Sequence, residues 1–464
     1  MKKETSADAS VPSTENRFDK AIVMGASIAG LCTARALADY FEEVLVLERD
    51  HLPEGPDFRA GVPQSRQFHT LLLSGLQQLQ AWFPGLQEEL ISSGAVPYDI
   101  TGDTLFRIRN RWLPRFKCGQ VLLSCSRPLL ESGIRRRLLQ NPNVRIMGGT
   151  EVVGLQGSTD NRRVIGVRTR PYRGGSDHPE ADTVHLADFV VDTLGRRSQT
   201  PSWLAELGYR APQESEVDSF LGYVTRKYKR KPNTPMLLIG ANPPHDPYTG
   251  VIFPEENDTM VALMAGYNKC YPPTEPAAFE AFAHQLAPEF QEALRDAEPL
   301  SQPYGYRGTS SRWRHYELLE RWPERYVVLG DAFCGFNPIY GQGMSVAAMA
   351  AVALAYQVKQ SGGNLDGVAQ STLHEISRIT QGAWLLATSA DLEFPGTQGG
   401  TIRNGPLEHF GRWYIGEMLD AMAFDRKVRL QFIAVNQLVK PGAALFAPGI
   451  FLRTLKQTIL KNFR

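Results

Sequence analysis

A three-layer α/β fold, interleaved with a second sheet domain and closed by a helical C-terminal region, is what this sequence predicts. Three observations carry it. An apolar run ending in a glycine turn opens a small-residue helix near the N-terminus, and a second strand–glycine–helix unit recurs far downstream. Between them, from about Pro212 to Arg312, Pro- and Gly-rich connections separate strand-like runs, as in a separate sheet.

Composition bounds the rest. The 464 residues, 42% hydrophobic and 21% charged, are enough for two or three domains of a globular protein. A net charge of +1 gives no general pull toward nucleic acid. Five cysteines without CxxC spacing fit reduced thiols, and nine histidines without HxxxH or HExxH predict no metal site. Residues 1–17 are polar, read as a disordered lead-in, and lack the apolar stretch of a signal peptide. With no run of about 18 apolar residues, the expected location is cytoplasmic, with at most a peripheral membrane contact.

Lys20 to Met24 (KAIVM) reads as a buried strand, Ile28 to Tyr40 as a helix and EVLVLER as a second buried strand with Glu48 near its end. After a turn-rich stretch, Ser65 to Trp82 reads as an amphipathic helix and Ser126 to Gln140 as another, its basic residues complementing the dipole. NVRIMGGTEVVGLQGS and RRVIGVRTRPY alternate like antiparallel strands, and DFVVDTLGRRS is a buried strand ending in a turn. RYVVLGDAF returns to a parallel-type strand and GMSVAAMAAVALAYQVK to a helix able to pack closely; the remainder is mostly helical. The predicted division is 1–17 tail, 18–211 dinucleotide domain with inserted strands and helices, 212–312 substrate sheet, 313–362 second part of the dinucleotide domain, and 363–464 helical region.

The strand–turn–helix–strand context makes Gly25-Ala-Ser27-Ile28-Ala29-Gly30 the phosphate turn of a Rossmann-like unit. Gly25 permits the turn and Gly30 lets helix and strand approach, while the middle position need only be small, which Ser27 satisfies. Glu48 is placed to accept from a ribose hydroxyl, which suits FAD or NAD equally. The downstream block VVLGDAFCGFNPIYGQGMS favours FAD. Asp331, at a strand end, can accept from a ribityl chain. The N–H groups of Gly341, Gln342, Gly343 and Met344 open a helix whose dipole favours negative charge at the flavin pyrimidine edge.

These stretches resemble the single-component FAD-dependent aromatic hydroxylases and epoxidases, the class A flavoprotein monooxygenases, over about Lys20 to Gln360. The segments FRAGVPQSRQFHTLL, FNPIYGQGMS and WLLATSADLEFPG look most similar to flavin epoxidases of polyether and polyketide assembly and relatives acting on prenylated substrates. The resemblance, which takes in Glu48-Arg49, implies that Arg49 is among the cofactor-binding residues, that Arg59 and Arg127 contact the FAD pyrophosphate or ring, and that Val152 meets the adenine through its backbone. It puts Asp331 on the ribityl chain, with Pro338 and Gly341 to Met344 bordering the ring. It implies NAD(P)H as a transient reductant, O2 as cosubstrate, a C4a-hydroperoxyflavin, and epoxidation or hydroxylation of a lipophilic polyene, prenylated or polyketide-type metabolite. Two departures stand out: Asp192 and Gly195 are separated by Thr-Leu, and Phe333 and Cys334 occupy positions where a histidine often follows the Gly-Asp-Ala run.

His69 is a candidate proton donor beside the flavin or a packed histidine, and Arg59 and Arg66 are candidate contacts for the reductant's phosphates. Phe220, Tyr223, Phe253 and Met264 are candidate substrate contacts in the 212–312 sheet. The C-terminal LFAPGIFLRTLKQTILKNFR reads either as a membrane-surface helix or as a helix packed on the protein with a solvated basic face. A halogenase, an isoprenoid reductase or dehydrogenase and a non-enzymatic FAD-fold escort are the alternatives. The sequence leaves oligomeric state unspecified.

Overall fold

The computed structural model describes residues 17–172, 181–400 and 405–461. Of the lead-in expected over 1–17, all but Arg17 lies outside the described residues.

The first strand, Phe18–Met24, is central in a five-stranded sheet. The order is Tyr326–Val328, Phe189–Asp192, Phe18–Met24, Phe41–Leu47, Val144–Met147, with every pairing parallel. Strands buried on both faces read as continuous apolar runs, which is why AIVM, VLVL and FVVD carry no polar alternation. Helices Ile28–Ala38 and Gly343–Gln360 pack on each other beside this sheet. The second buries Ala347, Ala348, Ala350 and Ala351, and such small side chains permit close approach. Antiparallel strands Thr150–Gly157, Val164–Pro171 and Thr183–Leu186 form a three-stranded sheet against strands Phe189–Asp192 and Phe41–Leu47.

Three expectations need correcting. Val144–Met147 is parallel, not antiparallel: it extends the main sheet beside Phe41–Leu47, and the chain reverses only after Gly148 and Gly149. The helix expected over 65–82 is a short 3-10 turn at Pro63–Arg66 and then a helix from Leu73 to Trp82. The intervening Gln67–Leu72 runs along the cleft described below, and its backbone serves His69 and Ser345 instead of a helix ladder.

The domains also interleave more than the sequence division had them. A seven-stranded sheet runs Tyr304–Tyr306, Gly222–Lys229, Thr259–Gly266, Tyr248–Glu255, Met236–Ile239, Thr104–Ile108, Arg111–Trp112. Its last two strands come from the segment assigned to the dinucleotide domain; Thr104–Ile108 pairs parallel with Met236–Ile239. One face of this sheet is covered by Pro276–Phe282 and Pro288–Leu294 through Phe279 and Phe290. Glu214–Asp218, at the start of the segment, pairs elsewhere, between Ser311–Arg314 and Gln398–Gly400.

The C-terminal region is helical as expected: Val368–Asp391, Pro406–Ala421, Arg426–Asn436 and Pro448–Lys461. Its core of Tyr414, Met418, Met422, Val428, Val435 and Leu445 also takes in Leu113 from beyond the Arg111–Trp112 strand. No described helix is long and apolar enough to cross a membrane.

Candidate active site

A cleft of about 820 Å³ runs between the parallel sheet, the seven-stranded sheet and the C-terminal helices. Its size is in the upper part of the ~300–1,000 Å³ range of ligand sites. Two helix N-termini open into it, at Ser27–Ala29 and at Gln342–Met344, with Asp331 also on its wall. Each helix start leaves backbone N–H groups without helical partners and a partial positive charge, so each can hold an electron-rich group.

At the first, Gly25 takes φ +102°, and a Cβ on Gly30 would stand 1.8 Å from the Gly25 carbonyl oxygen. That contact is the helix–turn approach for which the last glycine is required. Thr193, beyond the neighbouring strand, donates its hydroxyl to Met24 O at 2.7 Å and walls the turn from the other side. Ser27 accepts from Arg127 Nη2 at 2.7 Å, so its hydroxyl fixes a guanidinium on the cleft wall as well as being small.

Glu48 accepts from Ala26 N at 2.7 Å and Asp50 N at 3.0 Å, tying the second strand to the glycine turn. With Arg49, Glu151 and Val152 it forms one end of the cleft. Arg49 lies over the Tyr172 ring. Arg59 is clamped by three carboxylates, Glu48 at 3.0 Å, Asp50 at 3.3 Å and Glu131 at 2.9 Å, and donates to Ala26 O at 3.2 Å. The acidic partners raise its pKa further above the usual arginine value against the opposing effect of burial. It lines the cleft and also braces the turn, its guanidinium held by the three carboxylates and the Ala26 carbonyl.

His69 lines the cleft with Nδ1 2.9 Å from Gln67 O and Nε2 3.4 Å from Arg127. Burial first, and then the Arg127 charge, lowers its pKa to about 3. The ring is therefore neutral, with Nδ1–H donating to the Gln67 carbonyl, so a protonated His69 donor does not fit these surroundings. Arg66 lies over the Phe58 and Tyr304 rings and is absent from the residues that wall the cleft.

Asp192 does not line the cleft. It is fully buried and accepts from Leu194 N at 2.8 Å, Thr200 Oγ1 at 2.5 Å and Ser198 Oγ. It fixes the turn that presents Leu194, Gly195 and Arg196 to the cleft, with Gly195 at φ +74°. Asp331 is on the wall, 3.7 Å from Arg196 Nε. Pro338, Gly341, Gln342, Gly343 and Met344 border the same space. Gly341 has φ +67°, and a Cβ there would meet Thr70 at 2.5 Å.

Of the four candidate substrate contacts, the three on strands divide by which face they take. Tyr223 and Phe253 face the cleft; Met264 does not. Successive side chains on a strand point to opposite faces, and Met264 pairs with Val224, not Tyr223, which places it in the core under Phe279 and Phe290. Phe220 precedes the strand at φ +47° and lies against Lys269. The apolar part of the cleft draws instead on Phe106 and Ile108, and on Leu386, Ile415, Leu419 and Phe432 from the C-terminal helices. Sequence reasoning gave these no role, although WLLATSADLEFPG was already singled out.

Two helix starts thus open on one cleft that continues into an apolar chamber, and the fold is one also found in solved structures of FAD-dependent monooxygenases and halogenases. Flavin-dependent brominase Bmp2 superposes with TM-score 0.65 at 16% identity, over 96% of this chain and all (100%) of that one. A flavoprotein/dehydrogenase from Cytophaga hutchinsonii gives 0.67 at 13%, over 96% and 99%. PqsL, a probable FAD-dependent monooxygenase from Pseudomonas aeruginosa, gives 0.57 at 16%, over 90% and 99%. No family model matches the chain. Protein Rv3254 of Mycobacterium tuberculosis (strain ATCC 25618 / H37Rv) is 34% identical over 400 residues, 82% of this chain and 81% of that one, and the chain belongs to its family.

Proposed function

We propose that the protein is an FAD-dependent monooxygenase that uses NAD(P)H and O2 to epoxidise or hydroxylate a lipophilic substrate. The observation that carries this reading is the single cleft into which both helix N-termini open, with an apolar chamber beyond the second. The residues present fit the cofactor. Gln342, buried on that wall, has both amide nitrogen and amide oxygen without a partner. An orphaned buried amide calls for a ligand that both donates and accepts, as the pyrimidine edge of a flavin does.

Bound FAD would supply the redox and oxygen-transfer chemistry. The chain's part is to hold and shield. The N–H groups at Ser27–Ala29, aided by Arg127, would meet the pyrophosphate, and Glu48 and Val152 the adenosine end. Asp331 would accept from the ribityl chain, Arg196 sitting beside it. The N-terminus at Gly343 would favour negative charge at the ring edge. Tyr223, Phe253, Phe106, Ile415 and Leu419 would exclude water and seat an apolar substrate next to the ring.

The test is product mass spectrometry under ¹⁸O2 with candidate polyene, prenylated and aromatic substrates. One labelled oxygen per turnover, with NAD(P)H consumed, is expected; products without label would overturn the reading. Brominase and halogenase structures share this fold, so chloride and bromide are included. Halide-dependent incorporation in place of the label would make the protein a halogenase.

A further inference from the structure

The apolar chamber is backed by a surface whose charges and rings the site described above does not use. Two elements build it: the hairpin Thr104–Ile108 and Arg111–Trp112, with the loop that follows, and the start of helix Arg426–Asn436. Both also wall the chamber, through Phe106 and Ile108 on the strand and Phe432 on the helix. Strand alternation sends Arg107 the other way, where it lies over the Trp112 ring. Arg111 lies over Phe424 at 5.6 Å, and Arg426 and Arg429 share the Phe116 ring at 4.2 and 5.2 Å. Arg115 and Lys117 flank Phe116 and Lys427 follows Arg426; all three are exposed.

In a chain whose net charge is +1, Arg107, Arg111, Arg115, Lys117, Arg426 and Lys427 have no ion-pair partner among the described residues. The carboxylates of these elements are already held. Asp425 caps the helix at Lys427 N and pairs with Arg453, and Glu393 pairs with Arg109. Asp99 takes the N–H groups of Gly102, Cys118 and Gly119, and Asp103 accepts from Asp99 N. Arg426 and Lys427 stand in the first turn of their helix, where the dipole disfavours cations, and no acidic residue offsets them there. Trp112 and Phe424, 36% and 45% exposed, stand among these cations. Unpaired cations interleaved with exposed rings suit a bilayer surface: the cations meet anionic headgroups, and the rings settle at headgroup level. A soluble polyanion would leave the rings in water. Helix Pro448–Lys461 fits that role less well, because it exposes Leu452 and Ile459 but has Arg453 and Lys461 paired with Asp425 and Asp420.

We propose that this surface, the 104–119 hairpin and loop with Phe424, Arg426 and Lys427, docks the protein on an anionic lipid surface, with the apolar chamber behind it. Each Lys or Arg held near such a surface is worth about fivefold in partitioning. The attraction fades as salt shortens the Debye length, to about 4 Å near ~0.5 M. The docking does not depend on the FAD reading; that the chamber takes a lipophilic substrate there rests on it.

The experiment is co-sedimentation of the full chain with vesicles of phosphatidylcholine and phosphatidylglycerol, about 2:1, and with phosphatidylcholine alone. Binding to the anionic vesicles should be the tighter and should fall about tenfold between ~0.1 and ~0.5 M NaCl. The triple variant Arg115→Gln, Lys117→Gln, Lys427→Gln changes three exposed side chains, none of which walls the cleft. It should lose about 100-fold, down to the level on phosphatidylcholine, at unchanged melting temperature. Phe424→Ser keeps every charge and should lose at least about threefold. Polyglutamate and an oligo-dT of about 20 nucleotides, as soluble polyanions, should compete only weakly. Vesicle binding unchanged in the triple variant or in Phe424→Ser would overturn the proposal. So would either polyanion holding the protein as tightly as the vesicles, which would make the surface a dock for an acidic protein or a nucleic acid. None of these outcomes reads FAD or turnover, so the FAD reading stands or falls separately.

Discussion

Replacing Gly30 with alanine adds one methyl group at the tightest approach in the Gly25–Gly30 turn. The new Cβ would lie 1.8 Å from Gly25 O and 2.9 Å from Thr193 Oγ1. Ordinary contact begins at 3.4 Å, so the turn must give by about 1.6 Å. The obstacle is backbone pinned on both sides: Gly25 N donates to Leu47 O at 2.7 Å, and Thr193 holds Met24 O. Overpacking costs about 1–3 kcal/mol where side chains can yield, and more against backbone; about 3 kcal/mol is a fair floor here. If the folded chain carries that cost by displacing the N–H groups, FAD affinity drops by more than ~100-fold, since each 1.4 kcal/mol is tenfold. The assay is an FAD titration by flavin fluorescence with a thermal melt alongside. Ser27→Gly is the comparison: it removes only the hydroxyl that accepts from Arg127, and on this part-exposed cleft wall such a bond is worth about 1.5 kcal/mol, the low end for one to a charged group. Affinity should rank wild type, then Ser27→Gly, then far below it Gly30→Ala. Gly30→Ala binding FAD within fivefold of wild type, at normal melting temperature, would refute the reasoning.

Arg59→Met should destabilise by about 3–5 kcal/mol by leaving Glu48, Asp50 and Glu131 uncompensated; an unchanged melting temperature would make the cluster dispensable. His69 is neutral in the fold, its pKa about 3 against 6.5 unfolded. The unfolded chain therefore binds the proton first as pH falls, and stability present above 6.5 is lost toward 3. Relative to His69→Gln, wild type should lose about 2 kcal/mol between pH 7 and pH 5 in urea unfolding, and parallel curves would show that the histidine does not titrate this way. Leu419→Trp should fill the apolar chamber, raising KM for a lipophilic substrate at least tenfold while FAD affinity stays within twofold; loss of both together would put Leu419 at the cofactor. Asp331→Ala should weaken FAD retention and activity together, and unchanged FAD occupancy would remove it from the cofactor.

The Rossmann-like unit was legible because its requirements are local. Gly25, Gly30 and the buried strands around them answer to backbone sterics and to burial on both faces, which a linear pattern records. The wall of the second helix start was legible for the same reason, in Gly341 and Gly343. Side chains whose roles depend on partners distant in sequence were not. Arg59 lines the cleft, but the three acids that hold it, one of them 72 residues away, do not show in the linear pattern. Asp192 sits in the right motif yet turns inward to Ser198 and Thr200.

By itself the sequence determined the Rossmann-like unit, the helical C-terminal region and the presence of two anion-favouring helix starts. Tertiary structure alone decided which face of the seven-stranded sheet meets the cleft, and so why Tyr223 lines it while Met264 is core. Strand alternation fixes that the two faces differ, but not which one is covered by helices. Tertiary structure also brought Leu386, Ile415, Leu419 and Phe432 to the apolar chamber. An amphipathic helix encodes that it has a buried side, and only the packed chain supplies what that side is buried against.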